Sequence, residues 1–156
     1  MGAWGLGIYE NDAALDFVAD LTQGKSVKPL RDALAEVLKD DCMPWRAEQA
    51  LAAADIVARL QGNPIKSPVD AEIRAWIAGL KNPAIDRLAV DAHRALLAMQ
   101  QPDATAVLEL DPKDVKKWQA MVAKIAARIE LPKGTAITLP KRKAAPKRRL
   151  IVARKK

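Results

Sequence analysis

Trp45-Arg46-Ala47-Glu48-Gln49-Ala50-Leu51-Ala52-Ala53-Ala54-Asp55-Ile56-Val57-Ala58-Arg59-Leu60-Gln61 is the stretch that decides the fold. Ala47, Ala50, Leu51, Ala54, Val57 and Ala58 recur at helical spacing and line one side, while Ile56 and Leu60 widen the stripe. A helix this apolar, rich in the strongest helix former, belongs in the middle of a bundle, with other helices on several of its sides. Gly62-Asn63-Pro64 ends it.

The segments on either side repeat the pattern. Asn11 or Asp12 caps a first helix carrying Ala14, Phe17, Val18 and Leu21 and stopped by Gly24. Ser26 caps a second, with Pro29 in its first turn and Leu30, Ala33, Leu34, Val37 and Leu38 on one face. After the central helix, Ser67-Pro68 restarts the chain into a fourth, burying Val69, Ile73, Trp76, Ile77 and Leu80. Asn82-Pro83 opens a fifth, with Ile85, Leu88, Ala89, Ala92, Leu96 and Met99 inward. Ala104–Leu110 reads equally as helix or strand. Asp111-Pro112 starts a last long helix with Val115, Trp118, Val122, Ile125 and Ile129 inward, and Pro132 stops it. Short connections favour antiparallel neighbours. The expected fold is all-α: an irregular antiparallel bundle of about six helices over residues 1–130, followed by a basic, flexible tail over 131–156.

Charge separates the two parts. From Leu131 to Lys156 there are ten Lys or Arg residues and no Asp or Glu, whereas residues 1–130 hold 16 basic and 19 acidic residues, a balance of −3. The overall charge of +7 therefore averages a mildly acidic body with a +10 tail. The tail's two flanking apolar runs, Ala136–Leu139 and Leu150–Ala153, are each long enough for a small strand. Mutual repulsion among so many cations argues for disorder in the free chain.

The opening Met1-Gly2-Ala3-Trp4-Gly5-Leu6-Gly7-Ile8-Tyr9-Glu10-Asn11-Asp12 resembles a bacterial family, family 4259 of the domains of unknown function, whose members begin Met-Gly-x-Trp-Gly-x-Gly-x-aromatic-x-Asn-Asp. Ala52–Ala58 followed by Gly62-Asn63-Pro64 is similar to that family's Ala-rich middle helix and its exit, and Trp76 and the Trp118–Ile129 helix fall in matching places. The resemblance covers residues 1–130 and implies a small helical bacterial protein. It carries over no catalytic residue, and the tail has no counterpart in it.

Candidate sites stand beside plainer readings. Gly5-Leu6-Gly7 has neither the preceding strand nor the third glycine of a dinucleotide loop, so the glycines more simply let Trp4 and Tyr9 fold back onto the helices. Asp12, Asp16 and Asp20 share a helix face, but a straight stripe spaces carboxylates about 6 Å apart, too far to converge on one cation. They read as a cap and solvated charge, or as an acidic surface for a basic partner. His93 has no nucleophile at a meaningful spacing and reads as structural; Cys42, the only cysteine, forms no intramolecular disulfide. No metal site, cofactor or catalytic group is expected. Trp45, at the start of its helix, is the aromatic best placed to be half-exposed. Trp4, Tyr9, Asp12, Asp16, Asp20 and Trp45 are thus the candidates for contact with a protein partner.

The tail carries the strongest functional signal. Lys141, Arg142, Lys143, Lys147, Arg148, Arg149, Arg154, Lys155 and Lys156 are dense enough to bind the phosphates of nucleic acid or another anionic polymer by counterion release. The tail holds no aromatic residue to stack on bases, so binding is expected to ignore sequence. The expected role is a non-enzymatic interaction protein that binds nucleic acid through this tail. The alternative is a protein-binding module of toxin-neutralising or immunity type that works through the acidic body. Without an apolar h-region or a membrane-length apolar run, the expected location is the cytoplasm.

Overall fold

The computed structural model describes residues 7–39, 43–81, 83–101 and 110–139. They form six α-helices: α1 (Asp12–Thr22), α2 (Lys28–Glu36), α3 (Pro44–Leu60), α4 (Asp70–Ala78), α5 (Ile85–Met99) and α6 (Val115–Arg128), the last led in by a 3₁₀ turn, Pro112–Asp114. This is the irregular helical bundle that the periodicity predicts. No strand occurs among the described residues.

The central position of α3 follows from its composition. From Ala50 to Arg59 every residue is buried, and α1, α2, α5 and α6 all pack against it. Over this stretch the helix has no face left for solvent, which is why its apolar residues run almost without interruption there. The other helices are amphipathic and bury one stripe each: Ala14, Phe17, Val18 and Leu21 of α1; Leu30, Ala33 and Leu34 of α2; Leu88, Ala89, Ala92 and Leu96 of α5; Trp118, Val122 and Ile125 of α6. Leu38, Ile77, Leu80, Ile85 and Val115, expected inside, are only partly covered at the rim of the core.

The helix ends follow local chemistry. Asn11 rather than Asp12 caps α1, its side chain accepting from the Ala14 N–H at 2.7 Å. Ser26 Oγ accepts from Lys28 N–H at 3.0 Å where α2 begins, with Pro29 in the first turn. At the end of α3, Gly62 takes φ +87°, Gly62 N–H bonds Arg59 O and Asn63 N–H bonds Ala58 O. That pair of bonds closes a left-handed cap that only a residue without a Cβ adopts at no steric cost, and it swings Asn63 back toward the bundle. Before α4, Ser67 Oγ accepts from Val69 N–H while Asp70 reaches back to Ser67 N–H at 3.2 Å, which fastens the turn leading into the helix; Val69, and not Ser67, stands at the N-cap.

Beyond α6 the chain does not leave the body at once. His93 Nε2 lies 2.7 Å from Ile129 O, and because a carbonyl only accepts, that nitrogen carries the proton. Residues 131–139 have no regular secondary structure, so the first apolar run, Ala136–Leu139, is not a strand. Arg94 Nε donates to Thr138 O at 3.2 Å and ties this stretch to α5. Ala104–Glu109, the second apolar run and the basic clusters lie outside the described residues.

Candidate functional site

Two charged residues interrupt the apolar course of α3, Asp55 and Arg59, and both are buried. One turn apart, they face the same way, and Arg59 Nε donates to Asp55 Oδ2 at 2.8 Å. Burying two charges in a core is tolerable only if every polar atom finds a partner, and the surrounding chain supplies them. Tyr9, folded back by the turn before α1, donates its hydroxyl to the same Asp55 oxygen at 2.6 Å. Arg128, at the end of α6, brings Nη1 within 2.7 Å of Asp55 Oδ1, a charge contact without hydrogen-bond alignment. The rest of the Arg59 guanidinium reaches the loop before α4: Nη1 donates to Asp70 at 2.7 Å, and Nη2 to Ile65 O at 2.9 Å and Ser67 Oγ at 2.8 Å.

A second layer fastens α6 to the α3 cap. Asn63 Nδ2 donates to Arg128 O at 2.9 Å, and Arg128 returns two bonds to Asn63 O. Gln61 and the backbone of Glu130 exchange a further pair, both at 2.8 Å. The cluster thus joins the lead-in to α1, the end of α3, the start of α4 and the end of α6.

Its electrostatics are balanced: Asp55 and Asp70 face Arg59 and Arg128. Burial, then the Asp55 carboxylate and its hydrogen bond, push the Tyr9 hydroxyl far above the usual phenol range, so it is a neutral donor at any physiological pH. The Arg59 guanidinium and the Ser67 backbone N–H hold Asp70 down at about 2. With Tyr9 and Arg59 on one Asp55 oxygen and Arg128 against the other, the cluster offers no free base, nucleophile or open coordination position. It is a clasp. Beside it runs a cleft of about 490 Å³ lined by Arg59, Gly62, Ile65, Lys66, Asp70 and Arg74.

The expected partner-contact residues are placed unevenly. Tyr9 is 5 % exposed and committed to Asp55, so it belongs to the interior and not to a contact surface. Asp12, Asp16 and Asp20 are exposed along α1, and Asp20 borders a cleft of about 540 Å³ that also takes in Asp32, Glu36, Lys39 and Arg46. Trp45 is 43 % exposed, with the Arg46 guanidinium 4.4 Å from its ring centroid. Trp4, Cys42 and the tail cations Lys141 to Lys156 lie outside the described residues. Among the described residues, no three His, Cys, Asp or Glu side chains gather where a metal ion could be held. No described helix is long and apolar enough to cross a membrane.

Sequence reasoning missed the clasp. The signal was present in Asp55 and Arg59, two charges one turn apart in a helix with no solvent face. The distant members, Tyr9 and Arg128, gave no local sign.

Comparison with curated proteins and with solved structures returns no match. A family model, the domain of unknown function DUF4259, matches residues 2–121, which takes in Tyr9, Asp55, Arg59 and Asp70 but stops short of Arg128 and the tail. With most of its length matched, from the glycine-rich opening into α6, the chain belongs to the DUF4259 family.

Proposed function

We propose that this is a non-enzymatic interaction protein whose C-terminal tail binds nucleic acid without sequence preference, through the phosphate backbone. The observation that carries this reading is the charge distribution: ten Lys or Arg residues and no acid from Leu131 onward, attached to a body in which acids outnumber bases. A bacterial cytoplasm, where nucleic acid is abundant and a lone cysteine stays reduced, is the setting this reading assigns. The clasp supports the body's rigidity and takes no part in binding.

The test is fluorescence anisotropy with duplex DNA across a salt series. Six to ten phosphate contacts lower affinity by ~10³–10⁵ between about 50 and 200 mM salt, and scrambling the duplex sequence changes little. Neutralising Lys141, Arg142, Lys143, Lys147, Arg148 and Arg149 together removes most of the binding. No binding of any nucleic acid at the lowest salt refutes the proposal.

A second reading draws on the exposed Asp12, Asp16 and Asp20 and on the half-exposed Trp45: a surface for a basic protein partner, as in toxin-neutralising or immunity proteins. Capture of a protein partner that survives tail neutralisation but is lost on substituting those aspartates favours it.

A further inference from the structure

We infer that the solvent face of α6 is part of the polyanion-binding surface, with Lys113, Lys116, Lys117 and Lys124 forming a stripe that engages the phosphates of duplex nucleic acid alongside the tail. This rests on the tail reading above and extends it into the folded body.

The stripe follows from helix geometry. Trp118, Val122 and Ile125 turn α6 inward, which leaves Lys116, Lys117 and Lys124 exposed on the outer side. Lys117 and Lys124 are two turns apart and stand about 10 Å from each other along the same line. Lys113, exposed in the turn that leads into the helix, precedes Lys117 by four residues. The exposed residues between Lys117 and Lys124, Ala120 and Ala123, and Ala127 one turn beyond are too small to obstruct a phosphate backbone. They also offer nothing to insert into a lipid bilayer, so duplex nucleic acid is the better occupant.

Lys28, Lys39, Arg46 and Arg94 each have a carboxylate within 4 Å, whereas none of the four stripe lysines has an ion-pair partner among the described residues, a state shared by the exposed Lys25, Arg31, Lys66, Arg74, Lys81 and Arg87. What sets α6 apart from the other five described helices is that it holds no acid of its own. No Asp or Glu occurs between Val115 and Ile129. From Val115 to the C-terminus there are 14 basic residues and one acidic residue, against 12 basic and 18 acidic before it. The charge boundary therefore lies at the start of α6, inside the folded body. The Arg94–Thr138 bond holds the root of the tail on α5, the helix against which α6 packs. The tail thus sets off beside the layer that displays the lysines, and an acidic duplex is attracted there and repelled by the rest of the body.

The experiment uses the full chain and compares wild type with two quadruple variants, Lys113→Gln/Lys116→Gln/Lys117→Gln/Lys124→Gln and the corresponding four Lys→Arg substitutions. Anisotropy with duplex DNA is read as the slope of log affinity against log salt. Four lost contacts make the slope shallower by about 3 to 4 in the Gln variant, while the Arg variant keeps the wild-type slope. Gln and Lys have similar helix propensities, so both variants melt like wild type; should the Gln variant melt early, Lys117→Gln/Lys124→Gln alone lowers the slope by about 2. An unchanged slope in a Gln variant, with wild type and its tail-dependent binding intact, overturns this inference alone. Failure of wild type to bind duplex DNA overturns it together with the tail reading, as does binding confined to vesicles containing phosphatidylserine.

Discussion

Replacing Asp55 with alanine takes the acceptor from the centre of the clasp. Three groups lose it at once: the Tyr9 hydroxyl, Arg59 Nε and Arg128 Nη1. Tyr9 is then a buried hydroxyl without an acceptor, a loss of ~1–3 kcal/mol. Arg59, its side chain only 5 % exposed, keeps Asp70, Ser67 and Ile65 O, and Arg128 keeps Asn63 O, so neither cation is stranded. Each nevertheless gives up a close anionic contact in a region that water scarcely reaches. Removing one partner of a buried pair generally costs ~3–5 kcal/mol, and the retained contacts place Asp55→Ala toward the lower end of that range. A domain of this size has ~5–15 kcal/mol in total, so the loss is a substantial fraction of it. Urea unfolding followed by tryptophan fluorescence measures it. Tyr9→Phe, which removes one donor and leaves Asp55 paired with both arginines, should cost ~1.5–3 kcal/mol, and the double variant should fall short of the sum because both changes break one bond. A loss below about 1 kcal/mol for Asp55→Ala, no more than an average hydrogen bond contributes, refutes the idea that the clasp secures the bundle.

Other outcomes follow from the same geometry. Asp70 is held at about 2 from its ordinary 3.8, so its contribution is complete above the ordinary value and is lost as pH falls toward 2; Asp70→Asn should flatten the acid limb of stability over that interval. Tyr9 is the only tyrosine and its hydroxyl is raised, so its contribution is complete below the unfolded value of about 10 and declines above it. Phenolate absorbance should therefore appear together with alkaline unfolding and not before it. Trp118 is 5 % exposed and Trp45 43 %, so Trp118→Ala should cost ~3–5 kcal/mol and Trp45→Ala much less; equal small losses in urea melts would mean the inward face of α6 is misassigned. A chain ending at Leu139 should melt like the full chain, whereas one ending at Glu130 loses the Arg94–Thr138 bond and the partly buried Ile137 and Leu139, and its melting temperature should drop by a few degrees.

The sequence made the helices legible because each buries a stripe at a period that composition cannot disguise, and α3 because it has no polar face. The Asn11 cap was readable for the same local reason, whereas Val27, not Ser26, stands at the N-cap of α2. The polar interior was not, since its members lie far apart in the chain and a tyrosine after a glycine-rich opening looks the same whether it meets solvent or a buried carboxylate. Tyr9 was therefore expected at a contact surface, and the turn before α1 delivers it to Asp55 instead. The lysine face of α6 was hidden by averaging: counted over residues 1–130, its charge cancels against acids that lie on other helices.

The clasp also bears on the order in which the molecule can be finished. Its bonds join residues 46, 65 and 69 positions apart, long reaches for a helical protein, and such separations slow folding relative to bundles held by neighbouring contacts. During synthesis α3 is made early, yet Asp55 waits for Arg128, which arrives more than seventy residues later. Until then the central helix carries a carboxylate with only part of its neutralising shell, and the compact state is correspondingly weak. Arrival of α6 completes the charge balance and the packing in one step. An incomplete chain is thereby marked as unfinished by its own interior, open to proteolysis at the stage when the finished protein has closed.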